Sequence, residues 1–165
     1  MELKPALKKV EKNSDFKEWQ KKNKETYFSY AFKIPQEMNE DWQLGFYNKK
    51  NDRITTFTIA GESIKIRPEE EIFKKEEAKV NKIQLEKIKL TFENAMNEAE
   101  KFQQKNYPKD KSIKTIAILQ NMPQFGNIWN ITYITEAFNT LNMKIDASSG
   151  KVLGHSISAI FSFRT

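Results

Sequence analysis

His155 is the sole histidine in the chain, and there is no cysteine. Those two facts exclude a thiolate nucleophile, a disulfide framework, a Cys-based zinc site and paired-histidine metal chemistry. A lone histidine after Gly154, in or near a strand, reads as a polar surface or edge residue rather than a general base. Asp146 could ligate a metal or accept a proton, but no second carboxylate stands at a matching spacing. Its place ahead of Ala147-Ser148-Ser149-Gly150 makes it a turn former instead. Five scattered glycines leave no room for a glycine-rich phosphate loop. The acidic run Glu69-Glu70-Glu71 and the pair Glu76-Glu77 are interrupted by Lys74-Lys75, a pattern suited to pairing along a helix surface rather than to calcium. Asn130-Ile131-Thr132 fits a glycosylation acceptor but falls inside a strand-like segment. No catalytic residue, metal or cofactor is assigned, and an enzyme is the least supported class.

Binding chemistry has more material. The formal net charge is +6. Residues 4–24 hold eight lysines against Glu11, Asp15 and Glu18, so the positive excess lies mostly at the N-terminus. Lys8, Lys9, Lys12, Lys21 and Lys22 form a candidate anion-binding surface, with the solvated face of an amphipathic helix as the plainer reading. Trp42 and Trp129, with Phe28, Tyr30, Phe46 and Tyr133, could present a stacking surface to bases or peptides. Their period-two spacing is also what a core-facing strand requires, and core is the expectation taken here.

The elements that carry these residues follow from periodicity. Leu3, Leu7 and Val10, continued by Phe16 and Trp19, mark one amphipathic helix, or two broken near Asn13-Ser14-Asp15 with Ser14 or Asp15 as the second cap. Alternation then takes over. Phe28, Tyr30, Phe32 and Ile34 lie in a strand over Thr26–Pro35, and Trp42, Leu44 and Phe46 in another. A polar turn over Asn48–Asp52 precedes a third strand over Arg53–Ala60. Ile64 and Ile66 make a short fourth strand before Pro68. Residues 69–89 read as a charged linker. Thr91 caps a helix bearing Phe92, Ala95, Met96, Ala99 and Phe102 on one face. Strands follow over Thr115–Met122, Trp129–Thr135, Leu141–Asp146 and Val152–Ser158.

Both halves run helix, strand, Pro, loop, Trp-x-apolar-x-aromatic, turn, strand, Gly-bearing turn, strand. Trp42-Gln43-Leu44-Gly45-Phe46 answers Trp129-Asn130-Ile131-Thr132-Tyr133. The expected fold is α+β: two tandem repeats, over 1–68 and 90–165, each an amphipathic helix packed on an antiparallel three- to four-stranded sheet.

Leu90-Thr91-Phe92-Glu93-Asn94-Ala95, then Trp129-Asn130-Ile131-Thr132-Tyr133, then Lys144-Ile145-Asp146-Ala147-Ser148-Ser149-Gly150-Lys151-Val152-Leu153, resemble a PepSY domain. The match covers roughly residues 90–155 and rests on Trp129, Asp146, Ala147 and Gly150. Trp42 extends it to a degenerate N-terminal copy, which lacks the Asp-Ala-x-x-Gly ending. The resemblance implies a cystatin-like shape and a non-enzymatic protein- or peptide-binding module, regulatory or inhibitory in role. A small basic nucleic-acid-binding protein is the alternative. No stretch is long and apolar enough to span a membrane, and the first twenty-five residues are too charged for a signal peptide. A complete chain would therefore be cytoplasmic, and one trimmed of an upstream signal would be extracytoplasmic.

Overall fold

The computed structural model describes residues 1–38, 41–71 (the backbone alone for 69–71) and 79–161. The expected pairing of Glu69-Glu70-Glu71 and Glu76-Glu77 with Lys74-Lys75 falls outside the described residues. Helices α1 (Leu3–Lys12) and α2 (Ser14–Lys22) precede strands β1 (Thr26–Lys33), β2 (Trp42–Asn48), β3 (Arg53–Ala60) and β4 (Ser63–Glu71). A 3-10 turn at Leu85–Lys87 leads to α3 (Phe92–Asn106). Strands β5 (Ser112–Met122), β6 (Gly126–Thr135), β7 (Asn139–Asp146) and β8 (Val152–Ala159) follow.

All eight strands form one antiparallel sheet in the order β4-β3-β2-β1-β5-β6-β7-β8. The chain thus builds the sheet outward from the middle twice, and β1 meets β5 at the centre through Tyr30–Lys33 opposite Ala117–Gln120. The strands expected as two sheets of three or four belong to one sheet, and residues of both halves share one apolar cluster.

Alternation decides which face is covered. Ala31, Leu44, Phe57, Leu119, Trp129 and Ile145 lie in one cross-strand row on the same face. Leu3, Ala6, Leu7 and Val10 of α1, Phe16 of α2 and Ala95 and Ala99 of α3 join them in the core. The opposite face carries Phe32, Ile116 and Ile118 beside Gln43, Asn130 and Thr132, all half-buried. On that face Asn142 donates to Asn130 at 2.6 Å and to Thr132 at 2.9 Å.

Local signals were partly misplaced by sequence reasoning. The α1–α2 break is where expected, but the cap is Asn13 rather than Ser14 or Asp15: its side-chain oxygen accepts from the Asp15 amide at 2.9 Å and the Phe16 amide at 3.1 Å. Asn reaches two amides from the extended backbone that a cap needs. Strand β4 does not stop before Pro68 but runs to Glu71. Pro68 falls within the register shift of the β3–β4 ladder, on an outer strand where a missing donor leaves no ladder bond unmade. Thr91 caps α3 as expected, accepting from the Asn94 amide at 3.2 Å.

Gly45 answers a steric demand rather than a turn. The Tyr30 ring lies against it so closely that a Cβ there would stand 2.0 Å from a ring carbon. The segment expected as a charged linker docks where it is described: the Ile83 amide donates to the Phe28 carbonyl at 3.0 Å, and the Ile83 and Ile88 side chains enter the core. Phe28 lies outside the β1–β5 pairing, so residue 83 supplies a partner where the two central strands have parted.

Candidate functional site

The tryptophans are core residues. Trp42 and Trp129 are both fully buried, with ring centroids 6.2 Å apart, and Phe92 packs edge-on against each. Each indole donates to a carbonyl two residues ahead of a helix, Trp42 to Met1 at 2.9 Å and Trp129 to Leu90 at 3.2 Å. Lys33 lies 5.0 Å from the Trp42 ring centroid and 5.4 Å from that of Phe92, and it pairs with Asp41. Buried indoles with satisfied N–H groups hold the sheet to its helices and cannot stack on bases.

Asp146, Ala147 and Gly150 build the β7–β8 turn. One Asp146 oxygen accepts from the Ser148 amide at 2.8 Å and the Ser149 amide at 2.7 Å. Burial alone would raise the Asp146 pKa, but the Ser149 and Ser148 amides outweigh it and hold the carboxyl below the usual range. Ala147 is fully buried, and its carbonyl accepts from the amides of Lys89 and Leu90, tying this turn to the start of α3. Gly150 has φ +79°, the left-handed conformation the turn requires.

The five candidate lysines do not form one site. Lys9 donates to the Gly61 carbonyl at 2.8 Å and lies 3.4 Å from Glu62, at the β3–β4 turn. Lys8 and Lys12 are exposed on the same helix. Lys22 pairs with Glu18 at 3.0 Å, and Lys21 and Lys22 border an open hollow with Lys50 near the β2–β3 turn. The two turns stand at opposite ends of the eight-residue β3, roughly 25 Å apart at the usual rise per strand residue.

His155 sits on β8, the outermost strand of the second half. Its Nδ1 is 2.6 Å from the Tyr107 hydroxyl, and its ring is 4.8 Å from that of Phe102 at the end of α3. Among the described residues no group of three or more His, Asp or Glu could hold a metal ion. A groove of about 570 Å³ runs between α3 and the start of β5, with Met96, Glu100, Gln104, Lys111 and Tyr133 on its walls. Burial pushes the Tyr133 hydroxyl up to about 12, and Glu100 adds to the shift.

The strand that carries His155 is one of the two outer strands of the sheet. The two outer strands differ in composition. β4 carries Lys65, Arg67 and Pro68, the residues that keep an open edge from pairing with other chains. β8, Val-Leu-Gly-His-Ser-Ile-Ser-Ala, has no Lys, Arg, Asp, Glu or Pro. Leu153 and Ile157 are 37% and 38% exposed along it. At its far end Phe138 and Phe161 are 64% and 68% exposed, with ring centroids 6.3 Å apart, and the Ile160 amide donates to the Phe138 carbonyl at 2.9 Å. Phe138 has φ +58°, in a three-residue hairpin loop where glycine is the ordinary choice. Thr135 braces that loop, accepting from the Phe138 amide through its carbonyl and from the Asn139 amide through its hydroxyl. Phe138 is thus an exposed aromatic in a backbone conformation that favours glycine, next to the outer strand β8.

Sequence reasoning did not single out this edge. The signal was present in the contrast between Lys65-Ile66-Arg67-Pro68 and Gly154-His155-Ser156-Ile157, but it has meaning only once those strands are known to be the outer two.

The chain matches no known protein-family profile and no curated protein. It is similar in fold to the crystal structure of a "putative lipoprotein" from Clostridium difficile 630, with a TM-score of 0.57 and 15% identity over 87% of this chain and 90% of that one. At that identity the likeness extends to the fold alone. The chain is thus an α+β protein, whose described residues form three helices and an eight-stranded antiparallel sheet. No described helix is long and apolar enough to cross a membrane.

Proposed function

We propose that this protein is a non-enzymatic protein- or peptide-binding module of the PepSY type that takes an extended partner segment as an added strand along β8. The observation that carries this reading is the composition of the outer strand β8, with Leu153 and Ile157 partly exposed, no charge or proline to repel a strand, and its one register shift confined to Leu153. Two copies of one unit account for the architecture. Each half supplies helix and then four strands, and each tryptophan bonds the carbonyl two residues before its own helix. In such a duplicated fold β1 and β5 occupy each other's edges, while β4 is blocked, so β8 is the edge left for a partner.

The test is selection of displayed random peptides on the purified protein, followed by binding measurements on Ile157→Lys. Enriched peptides should alternate apolar and small residues and lose affinity for that variant. No enrichment, or peptides that bind wild type and variant equally, would sink the reading.

A further inference from the structure

We infer that β8 also pairs with β8 of a second copy, joining two sheets into one of sixteen strands about a twofold axis at Ser156. This rests on the same edge as the strand-addition reading but names a definite occupant, and the strand's own residues argue for it.

Antiparallel pairing about a twofold demands that the strand be compatible with its own reverse. With Ser156 opposite Ser156, His155 faces Ile157 and Gly154 faces Ser158. Cross-strand neighbours in the existing ladder put Gly154, Ser156 and Ser158 on the open face of the sheet, beyond Lys144, Asn142 and Thr140. Three small side chains there let a second strand approach without collision. On the helix-covered face, where Met143, Leu141 and Asn139 face His155, Ile157 and Ala159, no side chain meets its own copy. The two histidines do not oppose each other, and no like charges meet anywhere along the strand.

The ends match as well. Reversal places the Ile160 end of one copy near the Val152–Leu153 end of the other, where the β7–β8 ladder shifts register, so the exposed patch of Phe138, Ile160 and Phe161 falls near the exposed Leu153. Apolar surface at both ends of one edge is covered in a single step. The strained Phe138, projecting beside that edge, then has surface to rest on. Pairing about the axis keeps the helices of both copies on the same side of the joined sheet, so they do not obstruct it.

The absence of cysteine makes the register directly measurable. Sedimentation over a concentration series should show a monomer–dimer equilibrium, and Ile157→Lys should weaken it by about tenfold or more. Under mild oxidation Ser156→Cys should cross-link to dimer, because paired antiparallel Cα atoms lie within disulfide reach. Gly154→Cys and Ser158→Cys, which face each other rather than themselves, should cross-link far less in the single variants and efficiently when mixed. A protein monomeric at every concentration, a dimer indifferent to Ile157→Lys, or preferential cross-linking at other positions would overturn the inference. If selected peptides bind a strictly monomeric protein, self-pairing fails while the binding reading stands. A Ser156-centred dimer that accepts no peptide leaves self-pairing standing and removes the binding reading.

Discussion

Gly45 and Tyr30 form a pair in which the absence of one side chain makes room for another. A methyl at position 45 would stand 2.0 Å from a Tyr30 ring carbon, so Gly45→Ala must displace the ring and its hydroxyl contact with Thr56 at 2.7 Å. The expected loss is about 1–3 kcal/mol, the range for forced overpacking. Chemical denaturation of Gly45→Ala, Tyr30→Ala and the double variant should show strong non-additivity, because once the ring is gone the methyl costs little. Additive losses would mean the two do not compete for space. Tyr133 offers a second check at this scale. Its pKa is raised to about 12, so the unfolded state ionises first, and its contribution is present below about 10 and lost as pH rises toward 12. The difference in phenolate absorbance between wild type and Tyr133→Phe should rise near pH 12, and a rise near 10 would contradict the burial.

Among the elements, α2 has the most sharply defined start. Asn13→Ala should cost about 1 kcal/mol, because two amides lose their acceptor together, while Ser14→Ala should be near neutral. Thermal melts of the two variants decide it, and the reverse ranking would restore Ser14 as the cap. The example shows what was legible beforehand. The break between helices is written in Asn13-Ser14-Asp15, but three adjacent residues can all cap, and only backbone geometry chooses among them. Strand alternation was legible wherever one face is buried, as at Trp42, Leu44 and Phe46. It failed at Pro68 because proline forbids a central strand but not an outer one, and strand position in the sheet is a long-range property. The core role of Trp42 and Trp129 followed from period alone. The exposure of β8 did not, since it depends on which strand lies last.

Across the whole molecule, charge separates into surfaces that do not cooperate. Lys9 is engaged at one end of β3 and Lys21 and Lys22 lie near the other. Each cluster alone neutralises few phosphates, so oligonucleotide binding should be weak at low salt and fall steeply toward physiological salt. Titrations with single- and double-stranded oligonucleotides at two salt concentrations would show this. Tight binding that persists at the higher salt and vanishes when Lys8, Lys9, Lys12, Lys21 and Lys22 become Glu would establish a nucleic-acid protein instead.

The central β1–β5 seam has a bearing on covalent continuity. Cut between β4 and the 3-10 turn at Leu85–Lys87, the chain gives two pieces that each contain four consecutive strands and at least one helix, and each contributes its own first strand to the seam. Separated, both pieces would expose that strand and part of a common core that includes Trp42 on one side and Trp129 on the other. Co-expressed as two polypeptides, they are therefore expected to find each other and restore the native near-ultraviolet dichroism of the buried tryptophans. Either piece alone should aggregate or stay loosely packed. The molecule would then work as a split reporter whose two parts need no added affinity tags.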